Sequence, residues 1–494
     1  MTLAVEAGWL PGLSAVVGLA LGLAWYVAAV VALGLVPANR KPAAAMAWLL
    51  LIFAVPVIGI LLFLLLGGRN LGRARHLRQA ESDARIRAGT ETVPPLDPGF
   101  DGPTYVRSVA TLNRNLGSLP SLGGNSIELF TDYRESIAAM TAAVQDAERF
   151  VHVEFYISAW DEVTDPFFAA LVDATDRGVV VRVLFDHLGS KGIPGYKDMV
   201  RRLGETRVDW RAMLPVEPWK KPFRRPDLRN HRKILVVDGH VAFMGSQNLV
   251  EPGYNKEKNH RAGREWVELT SRVRGPVVAA LDALFHTDWY SETGQALTAE
   301  HLPLHEIPPA GDLTCQVIPS GPGYSSENNL RAFTTLIHAA QRRLSLTSPY
   351  FVPDESLLDA VTTAAHRGVE VELFVSEQGD QFMVYHAQCS YYRALLEAGV
   401  RIYLYQAPFV LHSKHFSVDD DVAVLGSSNM DMRSFALNYE VSLMVLGTEV
   451  VHRMRKVEDG YRALSRELTL DEWSRRPALK KYVDNVMRLT AALQ

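Results

Sequence analysis

Two cysteines, Cys315 and Cys389, are all that 494 residues contain. So few, and so far apart, they exclude a disulfide framework and a cysteine metal cluster, and they read as two reduced thiols. Basic excess is missing as well. The net charge is −4, whereas a free-standing nucleic-acid binder would more often be basic. Charge of either sign is missing from most of the N-terminus: none falls between Glu6 and Arg40, and none between Lys41 and Arg69. Each gap is long enough for an apolar helix to cross roughly 30 Å of hydrocarbon. A basic n-region is absent too, and a second apolar run follows at once, which argues against a cleaved signal peptide.

Two membrane helices are therefore expected, over 8–36 and 43–67. Pro56 and Gly59 predict a bend in the second, and Trp25, Tyr26 and Trp48 suit interface anchors. Both ends of such a hairpin lie on one side. Arg69, Arg73, Arg75 and Arg78 follow it, so the remainder of the chain is expected in the cytoplasm. Residues 69–125, charged and then rich in Pro and Gly (TVPPLDPGFDGP), read as a juxtamembrane segment and linker.

A chain of this length exceeds one typical core. The rest runs twice through one pattern. DYRESIAAMTAAVQDAERF has helical periodicity and VHVEFYI that of a strand; DPFFAALVDATDRG and VVVRVLFD repeat the alternation. SENNLRAFTTLIHAAQRR, LSLTSPYFV, ESLLDAVTTAAHRG and VEVELFVS form the second pass. Alternating helices and strands imply a layered α/β domain. Tyr156 matches Tyr350, Arg177-Gly178 matches Arg367-Gly368, and His231 and Asn248 match His412 and Asn429. The separations shrink along the chain, so the first half holds extra residues before its motif, among them PWKKPFRRPDLRN. The expected halves are 126–305 and 306–494, with motifs at 225–252 and 406–433.

The shared motif is H-x-K-x4-D-x6-G-S-x-N, seen in NHRKILVVDGHVAFMGSQN and in LHSKHFSVDDDVAVLGSSN. One chance match in a chain of this size is roughly a one-in-10⁵ event; two in corresponding halves are not accidental. Residues two apart on a strand share a face, so His231 and Lys233 can enter one pocket. Asp238-Gly239 is a turn signature, and the returning strand brings Ser246 and Asn248 back to the start. His412, Lys414, Ser427 and Asn429 follow the same logic. Facing each other, two such sets offer one histidine as nucleophile and another as general acid. They also offer two lysines as point charges for phosphate oxygens, and Ser and Asn as neutral donors. Attack on a phosphodiester without a metal ion or other cofactor is the chemistry they suit. Asp238 and Asp419 sit at turns, where Asp is common for backbone reasons. Glu268 and Glu440 fall at matched places after the motifs and suit carboxylates that hold a histidine through its other ring nitrogen.

The doubled motif resembles the signature of the phospholipase D superfamily over the whole soluble body. NRKP before the second apolar run, TSPYFVPD at 347–354 and RSFALNYE are similar to bacterial cardiolipin synthases in particular. That resemblance implies two α/β/α sandwich halves related by a pseudo-twofold axis, with one active site at their interface. It places Asp238 and Asp419 in the active-site signature beside the histidines and lysines. It implies a phosphohistidine intermediate and transfer of a phosphatidyl group between two phosphatidylglycerol molecules, giving cardiolipin and glycerol in a bacterial cell membrane. Better-understood superfamily members use the N-terminal motif's histidine as nucleophile, here His231. Hydrolysis of a phospholipid, or another phosphatidyl transfer, would use the same motifs, and an idle membrane scaffold would have no need of them. The partners are membrane phospholipids, not nucleic acid. Two basic stretches stay open to more than one reading. PWKKPFRRPDLRNHRK is either a solvated loop or a lip that attracts anionic headgroups. SRRPALKKYVDNVMRLTAAL reads as a basic surface helix, packed on the body in preference to immersed in lipid.

Overall fold

A computed structural model of the chain describes residues 10–38, 40–68, 71–98, 100–216, 225–297 and 307–491. Arg69, residues 218–224 of the basic lip, Trp219 and Phe223 among them, and the expected boundary at 305 lie outside them. The chain divides into two units, Met1–Asn70 and Leu71–Gln494.

In the first unit, one helix among the described residues is long and apolar enough to cross a membrane, Ala15–Leu35. The expected span over 43–67 is not one helix. It is two shorter ones, Pro42–Ala54 and Pro56–Leu66, broken at Val55. Proline at 56 has no N–H to continue the ladder and forces the preceding residue out of the helical region; Val55 takes φ −136° and ψ 78°. Gly59 sits against the backbone of Ile52, where a Cβ would come within 2.6 Å. The bend expected from Pro56 and Gly59 is thus a full interruption.

The second unit begins at Leu71, and the described residues from there to 125 are not a free linker. Helix Thr104–Gly117 buries Val106, Val109, Ala110 and Asn113, a helical stripe that joins the core of the C-terminal half. Arg75, in helix Arg73–Gly89, is buried in an ion pair with Glu292, and Arg78 donates to the Ser291 carbonyl. Part of the basic cluster is therefore structural.

Strands β1 (Leu122–Phe130), β2 (Phe150–Phe155), β3 (Val180–Asp186), β4 (Asp209–Met213), β5 (Arg229–Asn230), β6 (Lys233–Val237), β7 (Val241–Gly245), β8 (Trp266–Val267) and β9 (Thr270–Arg274) belong to the first half. The second half supplies β10 (Leu313–Ser320), β11 (Arg343–Thr347), β12 (Phe351–Val352), β13 (Glu370–Ser376), β14 (Arg401–Tyr405), β15 (Val410–Leu411), β16 (His415–Val418), β17 (Val422–Gly426), β18 (Met430–Asp431), β19 (Asn438–Leu446) and β20 (Ser465–Leu468). β1 and β10 pair antiparallel at a central seam. Outward from it the order is β1-β9-β7-β6-β2-β3-β4 on one side and β10-β19-β17-β16-β11-β13-β14 on the other, with β20 at the far edge. The two halves repeat one topology and share one sheet.

Both faces of that sheet are covered, as strands with near-continuous apolar runs require. Val151, Val153 and Phe155 face helices Tyr133–Gln145 and Asp165–Asp176. Phe150, Ile234 and Val236 face the opposite way, into a core shared with helix Val277–Thr293 and with Val441, Leu443 and Val445 of the second half. Asp132 caps the first of these helices by accepting from the N–H groups of Arg134 and Glu135. Buried beside that core, His152 is stacked between Phe150 and Phe285 and shares Asp282 with His286.

Candidate active site

Each motif histidine is seated on a strand of the other half. β5 runs parallel to the start of β19, and the His231 N–H donates to the Tyr439 carbonyl at 2.8 Å. β15 runs parallel to β8, and the His412 N–H donates to the Val267 carbonyl at 2.8 Å. One residue further along each receiving strand stands a glutamate. The Nδ1 atom of His231 lies 3.0 Å from the Glu440 carboxylate, and that of His412 lies 2.7 Å from Glu268. Carboxylate and histidine are thus exchanged between halves. Each pairing leaves Nε2 for chemistry.

Lys233 and Lys414 curl back to donate to the carbonyls of His231 and His412. The residue between histidine and lysine points away, as strand alternation demands. In the first half it is Arg232, buried, with Nε on the Glu440 carbonyl at 3.1 Å and a guanidinium–carboxylate pair to Asp288. In the second half it is Ser413, bonded to the Tyr461 hydroxyl at 3.0 Å.

The serines and asparagines are not equivalent. The Ser427 hydroxyl donates to Glu440 and accepts from the Val441 N–H. The Ser246 hydroxyl accepts from the Leu269 N–H at 2.9 Å. Both are occupied in bracing the strands that bear the glutamates. Asn248 is held by the Tyr254 hydroxyl and the Ile157 N–H. Asn429 keeps a buried amide oxygen with no hydrogen-bond partner among the described residues.

Asp238 and Asp419 are not brought to this site. Each ends its strand at the turn, about 16 Å along the strand from the motif lysine at about 3.3 Å per residue. Each has positive φ, 53° and 50°. Asp238 accepts from the N–H groups of Glu148, Arg149 and Phe150 at 2.8–2.9 Å. Asp419 does the same for Gln341, Arg342 and Arg343. These carboxylates tie the hairpin turn to the entry of the neighbouring strand.

Tyr156 and Tyr350 mark the repeat in the sequence, and both stand at the site. Their rings stand 4.8 Å from His231 and 6.2 Å from His412, and Tyr156 also lies under the Lys233 ammonium at 5.3 Å. Their matched positions were the available signal. Asp186 and Ser376, also matched, accept from the N–H groups of Asn230 and Leu411 at 2.9 Å and so fix the strand ahead of each histidine.

The electrostatics differ between the half-sites. Burial, helped by Lys233, Lys414 and His412, holds His231 well below the usual histidine range, so it is a neutral imidazole. Burial also lowers His412, but Glu268 opposes it. Burial lifts Glu440 to about 7. It also acts to raise Glu268, yet His412, Lys414 and Ser246 outweigh it and leave that carboxyl below its ordinary value. Burial brings Lys233 down to about 7 and Lys414 to about 8. One half thus holds an unprotonated histidine, the other a histidine with an ionised partner.

The fold has a solved counterpart. Phosphatidylserine synthase of Haemophilus influenzae Rd KW20 superposes with a TM-score of 0.60 at 15% identity, covering 78% of this chain and 99% of that one. A family described as cardiolipin synthase, PLD-like domain, matches residues 140–289 and 333–459, and one described as phospholipase D-nuclease N-terminal matches 23–68. The doubled α/β body with its paired motifs is of the phospholipase D-like class. Cardiolipin synthase A of Yersinia pseudotuberculosis is 34% identical over 464 residues, 92% of this chain and 93% of that protein. Cardiolipin synthase A of Proteus mirabilis is 31% identical over 458 residues, 91% and 92%. The chain belongs to the cardiolipin synthase family.

Proposed function

We propose that this chain is a phosphatidyltransferase that condenses two phosphatidylglycerol molecules into cardiolipin and glycerol. The observation that carries the reading is the exchange of carboxylates, which joins two His–Lys–Asn sets into one site. His231 Nε2 attacks phosphorus, and the bond to the glycerol oxygen breaks as His412 Nε2 delivers its proton to that oxygen. The second phosphatidylglycerol then gives its hydroxyl proton to His412 and attacks phosphorus, and the P–N bond to His231 breaks. Lys233, Lys414 and the side-chain NH2 of Asn429 stabilise the phosphoryl oxygens as charge builds. Glu440 and Glu268 orient the imidazoles and support their positive charge. Ser246, Ser427 and Asn248 hold this frame, and Asp238 and Asp419 act at the strand turns.

The enzyme works on membrane lipid, and helix Ala15–Leu35 suits an anchor. We place the body in the cytoplasm, with the 43–67 segment returning the chain to the side it came from. A cysteine at Ala88, an exposed position, should resist an impermeant thiol reagent on intact cells; ready labelling reverses the orientation. The deciding experiment on function is incubation of purified protein with labelled phosphatidylglycerol. Cardiolipin with released glycerol is the expected product, and phosphatidic acid alone would make the protein a hydrolase.

A further inference from the structure

Large apolar side chains are rarely left open on a soluble body, and a cluster of them marks a contact surface. Within the unit Leu71–Gln494, the four most exposed described here are Leu489 at 84%, Leu479 at 72%, and Phe382 and Tyr482 at 66% each. All four lie on or at the end of two abutting helices, Phe382–Cys389 and Ala478–Arg488. His386 of the first helix meets Asp484 of the second at 2.7 Å, and Arg476 closes on the same carboxylate at 2.6 Å. That contact fixes which way the C-terminal helix faces. Leu479, Tyr482, Val486 and Leu489 are spaced for one stripe, opposite the buried Asp484. Met383 extends the apolar area beside Phe382.

The stripe is flanked by exposed Lys480 and Lys481, and Asp484, the one acid of that helix, is buried and paired. An apolar face with a basic flank and no exposed acid is the composition of a helix lying in a bilayer interface.

Its position ties it to the chemistry. Gln381, next to Phe382, donates to the Tyr350 hydroxyl at 2.9 Å; that hydroxyl also bonds Asp380, and the Tyr350 ring stands 6.2 Å from His412. On the other half, exposed Leu188 precedes Gly189, which packs on Tyr156 beside His231. Apolar corners therefore border both sides of the site.

We propose that Phe382, Met383, Leu479, Tyr482 and Leu489 form a seating surface. It enters the headgroup region of a bilayer containing anionic phospholipid and holds the mouth of the site against the layer that supplies its substrate. The inference rests on the phosphatidyl-transfer reading. The phosphate of a bilayer lipid must reach His231 and His412 while its acyl chains stay in the membrane, so the rim of the site has to touch the interface. A second copy of the chain on this corner would cover the route to Tyr350 instead.

The two native cysteines are buried, so a dye can be attached at Leu479→Cys in the full-length protein reconstituted into phosphatidylglycerol–phosphatidylcholine vesicles. Nitroxide on the lipid acyl chains should quench it, iodide should not, and vesicles of phosphatidylcholine alone should weaken the effect. The same dye at Asp146→Cys, an exposed position that ends helix Tyr133–Gln145 near the Asp238 turn, should behave oppositely. The pair Leu479→Asp and Leu489→Asp should lose about tenfold or more of activity on bilayer phosphatidylglycerol, and keep turnover of dispersed dihexanoylphosphatidylglycerol. Iodide quenching at 479 equal to that at 146, or equal loss on both substrates, overturns the proposal. So does shielding that appears in detergent and grows with protein concentration, which assigns the face to a second copy. Failure of the wild-type protein to transfer phosphatidyl groups would strike the proposed function and leave the dye result readable.

Discussion

Glu268→Gln isolates one charge in the site while keeping the shape. Glu268 comes from the first half and supports His412 of the second at 2.7 Å. The amide still accepts from Nδ1–H, but the charge that opposes burial of an imidazolium is gone. A hydrogen bond to a charged group contributes about 1.5–3 kcal/mol and a neutral one about 0.5–1.5. The difference, about 1–1.5 kcal/mol, is about tenfold in any step that needs protonated His412. Expulsion of glycerol needs that proton. Expulsion of p-nitrophenol does not, because it leaves as a stable anion. A rapid-quench assay should therefore show about tenfold slower release of glycerol from phosphatidylglycerol. The p-nitrophenol burst from phosphatidyl-p-nitrophenol should keep its rate. Glu440→Gln, which removes support from the attacking His231, should slow both. Equal slowing of the p-nitrophenol burst by the two variants would refute the division of roles, and with it the meaning given to the crossed pairing.

Trapping gives an independent check: after an acid quench with labelled phosphatidyl-p-nitrophenol, acid-labile label should map to the peptide holding His231 and persist in His412→Ala. Label confined to the His412 peptide would exchange the two roles. For pH, Lys233 near 7 and Lys414 near 8 must carry their protons to hold an anionic diester. kcat/KM should fall as pH rises through that window, while the acid limb, set by protonation of His231, lies below the ordinary histidine value; a rate still rising above pH 8 would contradict this. Asp238→Ala removes three acceptor contacts and leaves a Cβ residue at φ 53°. It should cost about 1–3 kcal/mol of stability, read as a lower thermal-inactivation midpoint, with kcat nearly unchanged at low temperature. A collapse of kcat in folded Asp238→Ala would return that carboxylate to the chemistry. Chelator should leave most cardiolipin formation intact, and strict rescue by one metal would contradict the metal-free reading.

Periodicity and repetition were legible in the sequence because they are local. Two residues on a strand share a face wherever the strand sits, so His231 with Lys233 and His412 with Lys414 could be read as pairs. A helix stripe, a proline bend at 56 and a doubled motif are properties of neighbouring residues. Which surfaces meet is not local. Glu268 stands nearer in sequence to His231 than to His412, yet it serves the latter, because β8 pairs with β15 across the halves. Asp238 follows the motif lysine closely along the chain, yet a strand is extended, and five residues carry it to the far turn. Asn248 and Asn429 occupy the same motif position and differ because the Ile157 N–H binds the amide oxygen of the first, while that of the second has no partner among the described residues. The 69–125 segment looked like a linker by its composition, but its few apolar residues fall on one helical face with a core waiting for it. Residue spacing along single strands and helices determined the chemistry on offer. Packing between distant segments decided which groups share a pocket, because burial and pairing depend on neighbours that the chain order does not name.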